Sequence, residues 1–252
     1  MLAILDLFAL RQKALNLTEI SSELGYPMSS VLALMKSLSA SGYIRLDPAT
    51  KSYVPTLRVA MLGTWIMGNL FMDGAVIALM DQIQKDTGET VILGARNGLH
   101  AQYLHTVQSR RLLRFFVKPG LLRPMSRSAI GQALLMHCSD GEVAAFAARA
   151  NEASTLERAL INPTALVERI REARHRGYAY TDQYTAGICA IGVPVKIGLG
   201  RECALAVAGP ILRVKRKKDK VAAAIQELSR VYIKASAEYD LDTQLRQAAH
   251  VI

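Results

Sequence analysis

Residues 18–53 read TEISSELGYPMSSVLALMKSLSASGYIRLDPATKSY, and the order of signals within them decides how the chain begins. Thr18 can cap a first helix, with Glu19 where the positive end of the helix dipole favours a carboxylate. Ile20 and Leu24 lie four apart on one face, and Gly25 ends the helix where a left-handed residue is cheapest. Pro27 stands in the turn. Val31, Leu34, Met35 and Leu38 then repeat at i, i+3, i+4 and i+7, an apolar stripe on a second helix that Gly42 closes. Tyr43–Leu46 and Ser52–Val54 alternate as short strands around Asp47-Pro48-Ala49-Thr50, a turn built from turn-favouring residues.

Helix, tight turn, helix and two-stranded wing together make a winged helix-turn-helix over 1–56; a small structural helical pair is the competing reading. Upstream, Leu2, Ile4, Leu5, Phe8 and Ala9 fit a helix packing under this unit. That stretch lacks a basic leader and a small-residue cleavage site, so it reads as structure and not as a signal. Downstream, the run from Leu57 to Met67 is apolar on more than one face and must be buried. It is expected to be a linker and dimerisation helix over 57–72, against the alternative of an ordinary core helix.

From residue 73 the periods change. Val76, Ile77, Leu79, Met80 and Ile83 keep helical spacing up to Gly88. Strands are expected over 89–95, 101–107 and 112–117, with Arg96-Asn97-Gly98 as a hairpin turn. Helices follow over 128–137, 141–150 and 163–174, the last with Asn162 at its cap and Gly177 beyond its end. Strands over 178–180, 188–197 and 203–207 and a closing helix over 217–239 complete an α+β domain, 73–252, with an antiparallel sheet.

The 252 residues, 51% of them hydrophobic, provide an ample core. No apolar run reaches the roughly 18 residues of a membrane span, so no membrane partner is expected. Three cysteines, Cys138, Cys189 and Cys203, have no metal-like spacing and suit a reducing cytoplasm. The net charge of +10 is compatible with a polyanion partner. Its distribution weakens that argument: residues 1–58 hold six basic side chains against four acidic ones, whereas no acidic residue falls between Glu89 and Asp140.

In this order the chain resembles the IclR family of bacterial transcriptional regulators over nearly its whole length. The resemblance rests on the helix-turn-helix, Gly88-Glu89-Thr90-Val91, the segment from Pro124 to Leu135, Gly177-Tyr178, the segment from Gly187 to Val195, and Ala208-Gly209-Pro210. It implies a winged helix-turn-helix joined by a linker helix to a GAF-like effector domain, assembled as a dimer or dimer of dimers. It also implies double-stranded operator DNA and a small organic acid as partners, with no cofactor and no metal.

Family members usually carry a Lys and a Thr at the start of the recognition helix and an Arg near its middle. Met28, Ser30 and Ala33 stand at those places here. The side chains left to reach DNA are Ser29, Ser30, Leu32, Ala33, Lys36 and Ser37, with Lys51 in the wing. None offers the bidentate Arg-to-guanine contact that dominates major-groove reading. Positioning by phosphates is therefore expected, with modest base discrimination per half-site and specificity recovered by reading two half-sites. A reader helix that has decayed, in a sensor acting through protein partners, is the alternative.

For the effector site the resemblance points to Leu112, Phe115 and Arg123, to the turn Ser128-Ala129-Ile130, to Thr181 or Asp182, and to Ile188, Ala190, Ala206 and Ala208. Two serines of better-known relatives have become Ala206 and Ala208, and Phe115 adds a ring face. Fewer hydroxyls and more ring surface favour a larger, more apolar acid, aromatic or hydroaromatic, with Arg123 or Arg127 as a planar fork for its carboxylate. The competing reading puts both arginines in solvent or at a subunit interface.

Enzyme readings are thin. His100 and His105 fall on opposite faces of a strand and make a poor metal pair. Cys189 and Cys203 could face each other across adjacent strands, which keeps a thiol-based GAF-like catalyst as the enzyme alternative. Buried cysteine in a sheet otherwise behaves as a small hydrophobe. A ligand-responsive DNA-binding regulator of a catabolic operon, with no catalytic residues, is the expected function.

Overall fold

Helix α1 (Leu2–Arg11) buries Ile4, Leu7 and Phe8, the i, i+3, i+4 face of a surface helix. Leu2, expected on that face, is 76% exposed, and Ala9 is exposed too. The computed structural model describes residues 1–63, 74–154, 160–197 and 201–232 of a chain that divides into two units, Met1–Asn69 and Leu70–Ile252.

In the first unit α2 (Leu17–Leu24) is capped by Asn16 and not by Thr18. The Asn16 side chain accepts from the Glu19 amide at 2.9 Å, and the Glu19 carboxylate accepts from the Asn16 amide at 2.9 Å. This reciprocal box outcompetes a threonine hydroxyl because it satisfies two orphan amides at once. Gly25 then takes φ 66° at the end of α2. Helix α3 (Met28–Ala40) buries Val31, Met35 and Leu38 against Ile4, Phe8, Ile20 and Ile44, with Leu34 packed at the edge. Strands β1 (Ile44–Asp47) and β2 (Ser52–Pro55) pair antiparallel, and Leu15 adds a bridge to Tyr53 on the other side. Asp47 organises the wing turn by accepting from the Ala49 amide at 3.0 Å and the Thr50 hydroxyl at 2.9 Å. Residues 57–63 are helical (α4); the rest of the expected linker, 64–72, lies outside the described residues.

The second unit is built on a six-stranded, fully antiparallel sheet of order β5-β4-β3-β8-β7-β6. Its strands are β3 (Thr90–Asn97), β4 (His100–Val107), β5 (Leu122–Pro124), β6 (Ala179–Thr181), β7 (Ile188–Ile197) and β8 (Arg201–Pro210). One face carries Val91 and Leu93 of β3, Ile191, Val193 and Val195 of β7, and Leu205 and Val207 of β8. It is covered by α5 (Ala75–Thr87), by Val214 of the short α9 (Ile211–Val214), and by α10, helical over 218–232. Residues 233–239 of the expected closing helix lie outside the described residues.

The other face is made of small residues: Ala204, Ala206 and Ala208 on β8, with Gly192 on β7 and Gly94 on β3. Helix α6 (Ala129–Leu135) lies against it, followed by α7 (Asp140–Glu152) and α8 (Pro163–Arg176). The approach is so close that a Cβ on Gly192 would sit 2.3 Å from the Ala129 carbonyl oxygen. On the far side of α6, a Cβ on Gly131 would sit 2.3 Å from the Met125 Cα.

Residues 112–117 do not form the expected strand. Leu112, Leu113, Arg114 and Phe116 are exposed, and only Val117 and, in part, Phe115 turn inward, so the run has too short an apolar face to dock as a strand. Side chains hold its carbonyls in place of a ladder: Thr90 donates to Phe115 O at 2.7 Å, and Arg213 donates to Leu113 O at 2.7 Å. The third strand comes later, at β5, where Arg123 pairs with Ala101. Cys189 and Cys203 do not face each other either. Cys189 stands opposite Gly209 and Cys203 opposite Val195, at opposite ends of the β7–β8 pair, because register sets the partners and not sequence proximity.

Candidate functional site

Two surfaces are candidates, one in each unit. In the first, the stripe that buries Val31, Met35 and Leu38 turns the opposite face of α3 to solvent. Ser29, Ser30, Leu32, Ala33, Lys36 and Ser37 are all exposed there, as is Lys51 beyond the wing turn, where φ is 54°. Several neighbouring cations are already engaged. Arg11 binds Glu23 at 2.6 Å, Lys13 binds Glu19 at 2.7 Å, and Arg58 lies over the Tyr43 ring at 5.1 Å. Among the described residues of this unit, Lys36, Arg45 and Lys51 remain as exposed Lys and Arg side chains with neither an ion pair nor a ring contact. Arg45 was not among the expected contacts; its outward place on β1, beside buried Ile44, was readable from strand alternation.

In the second unit a cavity lies on the small-residue face, where alanines leave the space that larger side chains would fill. Its floor is Ile92 of β3, Ile188 and Ala190 of β7, and Ala206 and Ala208 of β8. Ser128, Ala129 and Ile130, at the start of α6, close one side. Ser128 is fixed there, accepting from the Gly131 amide at 3.1 Å and donating to Pro124 O at 3.0 Å. Phe115, Tyr103 of β4 and Arg123 of β5 form a second side, and Thr181, Tyr184, Thr185 and Cys189 a third. The Arg123 guanidinium lies 5.2 Å from the centroid of the Tyr184 ring. Burial pushes the Tyr103 hydroxyl above its ordinary pKa, against a smaller opposing pull from Arg123. The wall therefore presents one fixed cation and a neutral phenol. The cavity's volume is about 30 Å³, room for one or two waters.

Nine of the twelve residues expected at this site thus meet in one place: Phe115, Arg123, Ser128, Ala129, Ile130, Ile188, Ala190, Ala206 and Ala208. Leu112 does not line it, being 100% exposed on the loop whose carbonyls are tethered inward. Arg127 and Asp182 also fall outside, on the rim of a neighbouring recess, and Thr181 lines the cavity in place of Asp182. Asp182 is turned away by the Tyr180 hydroxyl, which donates to it at 2.9 Å, and by Lys215 at 3.3 Å. Ile92, Tyr103, Tyr184, Thr185 and Cys189 were missed. Ile92 is the cross-strand partner of Ala206, so the pairing of β3 with β8 would have found it. Tyr184 and Thr185 come from a loop that carries no periodic signal.

Neither Cys189 nor Cys138 is set up as a nucleophile. Burial pushes Cys189 up to about 11, with the neighbouring Tyr180 hydroxyl only partly offsetting it. Cys138 is raised as well, chiefly by burial. A reactive thiolate needs the opposite shift. Among the described residues no group of three metal-ligating side chains comes together, and no helix is long and apolar enough to cross a membrane.

Residues 1–48 match the sequence model of the IclR helix-turn-helix domain, and residues 74–232 match that of the bacterial transcriptional regulator IclR C-terminal domain. The chain is 30% identical over 235 residues to the HTH-type transcriptional regulator BhcR of Paracoccus denitrificans, covering 90% of this chain and 84% of that protein. It is 25% identical over 245 residues to the acetate operon repressor of Salmonella typhimurium, covering 95% and 87%. In fold it is similar to an IclR family transcriptional regulator from Brucella abortus, with a TM-score of 0.70 at 20% identity over 93% of this chain and 90% of that one.

Proposed function

The chain belongs to the IclR family of bacterial transcriptional regulators, and from that premise we propose a ligand-responsive regulator of a catabolic operon whose effector is a small organic acid of aromatic or hydroaromatic character. It is a transcriptional regulator and not an enzyme, in keeping with the relatives named above. The observation that carries the effector reading is the cavity on the small-residue face: one guanidinium, Arg123, set in a wall of methyl groups, rings and hydroxyls. A few convergent polar groups in an apolar hollow are what orient a small ligand. That a relative at 25% identity is named for the acetate operon supports an operon of small-acid metabolism.

Operator DNA is met by the exposed face of α3, with Lys36 and Lys51 on phosphates and Leu32 or Ala33 against thymine methyls. A dimer or dimer of dimers reads two half-sites and recovers the discrimination that one helix lacks. The acid acts through residues 57–72 by binding one arrangement of the paired reading units more tightly than the other. The protein works in the cytoplasm, with its operator.

The test is a fluorescence anisotropy titration of the purified protein against its own upstream DNA at two salt concentrations. Binding should favour that DNA over random duplex and weaken as salt rises, with a log–log slope between about −3 and −6 for a few phosphate contacts per half-site. Lys36→Ala should reduce both the affinity and the slope. Binding no better than to random duplex, and indifferent to Lys36→Ala, would favour the alternative of a sensor that acts through protein partners.

A further inference from the structure

Two hollows share one wall. The inner cavity holds about 30 Å³, too little for any organic acid. Beside it lies an open recess of about 610 Å³, within the roughly 300–1,000 Å³ of metabolite sites. Thr181 and Tyr184 line both. Displacing this shared wall would give an acid at Arg123 the room it needs and join the cavity to the recess.

The charges on the far side are lopsided. Arg127, ahead of α6, and Arg169 and Arg176, on α8, face the recess together with Glu172 and Asp182. Asp182 is already engaged by the Tyr180 hydroxyl and by Lys215. That leaves three guanidinium groups against Glu172. Arg127 has no side-chain partner among the described residues, and Arg169 makes a single 3.5 Å contact to Ser126 O. Arg176 covers the Tyr178 ring at 5.5 Å. Planar forks held in one hollow recognise carboxylates in the bidentate mode. The Tyr184 ring stands between this group and Arg123, stacked 5.2 Å from the latter.

We propose that the effector is a dicarboxylic acid: one carboxylate meets Arg123 in the inner cavity, the other meets Arg127 and Arg169 in the outer recess, and its carbon frame takes the place of the Tyr184 ring. This rests on the reading of the Arg123 cavity as the effector site. It narrows the ligand class, since a monoacid makes no ion pair with the outer arginines.

Isothermal titration of the full chain with paired acids tests it: hexanoate with adipate, and benzoate with terephthalate. Three proteins are compared: the unaltered chain, Arg123→Ala, and the double variant Arg127→Ala/Arg169→Ala, whose two positions are exposed. At least one diacid should bind about tenfold more tightly than its monoacid, the advantage expected of an added charge-assisted pair. The double variant should erase that advantage and leave the monoacid unchanged. Arg123→Ala should weaken both acids. Equal binding of each monoacid and diacid, no detectable diacid binding, or a double variant that keeps the advantage would overturn the inference. If Arg123→Ala still weakens the acids in that case, the cavity reading survives. If Arg123→Ala leaves both acids unaffected, the cavity reading fails and the diacid proposal fails with it.

Discussion

Strand β8 presents two different surfaces from one sequence. Cys203, Leu205 and Val207 point to a face filled by α5 and α10; Ala204, Ala206 and Ala208 point to a face where α6 presses close and a cavity remains. The alternation is a period of two with unequal side-chain volumes. Large residues close one face and make it structural. Small ones admit a helix backbone at contact distance and leave space that none of the described residues fills. The functional face of this sheet is thus chosen by what its side chains omit.

The close approach of α6 should be the least forgiving feature of the alanine face. Gly192→Val would drive a side chain into the Ala129 carbonyl at the start of α6, 2.3 Å from the position of its first carbon. The loss should exceed about 3 kcal/mol in urea unfolding or prevent the second unit from folding. A tolerated valine would mean that α6 is not packed as described. On the filled face, Leu205→Ala should cost about 3 kcal/mol, against a fully buried leucine. A loss well under 1 kcal/mol there would break the contrast between the two faces.

Cys189 sharpens the comparison at a boundary, because it borders the cavity beside Ile188 and Ala190 and is at the same time buried in the core of the filled face. With its pKa pushed up to about 11, only about one thiol in a thousand is ionised at pH 8. Alkylation of the native protein at Cys189, followed by mass spectrometry, should be about a hundredfold slower than in the urea-unfolded chain. A folded-state pKa above the ordinary thiol value of about 8.5 means that the folded form holds its proton longer. This site's contribution to stability is therefore complete below that value and is lost as pH rises toward the folded pKa. Rapid labelling at pH 8 would place the thiol in solvent. The smallest effect should come from Ala206→Ser, costing under about 1.5 kcal/mol of stability while shifting acid preference toward smaller, more polar acids in a competition titration.

Much of this architecture is legible in the sequence. The stripe of Val31, Met35 and Leu38, the glycine at the end of α2, and Asn162 and Gly177 at the ends of α8 are local signals, and local chemistry settles them. What failed was non-local or competitive. Asn16 displaced Thr18 because a capping box needs both of its partners, and Glu19 was three residues from Asn16. The run Leu112 to Val117 has strand-like composition, but strand formation depends on a partner edge, and side-chain donors from Thr90 and Arg213 hold its carbonyls instead. The Cys189–Cys203 pairing failed on register, which the sequence of one strand does not contain. In the cavity, residues on strands were within reach of alternation, whereas Tyr184 and Thr185 arrive from a loop with no period to follow.

The most direct test of the whole account is the coupling between its two sites. The affinity for upstream DNA would be measured with and without a saturating acid that binds the chain, in the unaltered protein and in Arg123→Met. DNA affinity should change by about fivefold or more, in the range expected of allosteric coupling, and the change should disappear when Arg123 is replaced. DNA affinity that is the same with and without bound acid, or a change that persists in Arg123→Met, would contradict it.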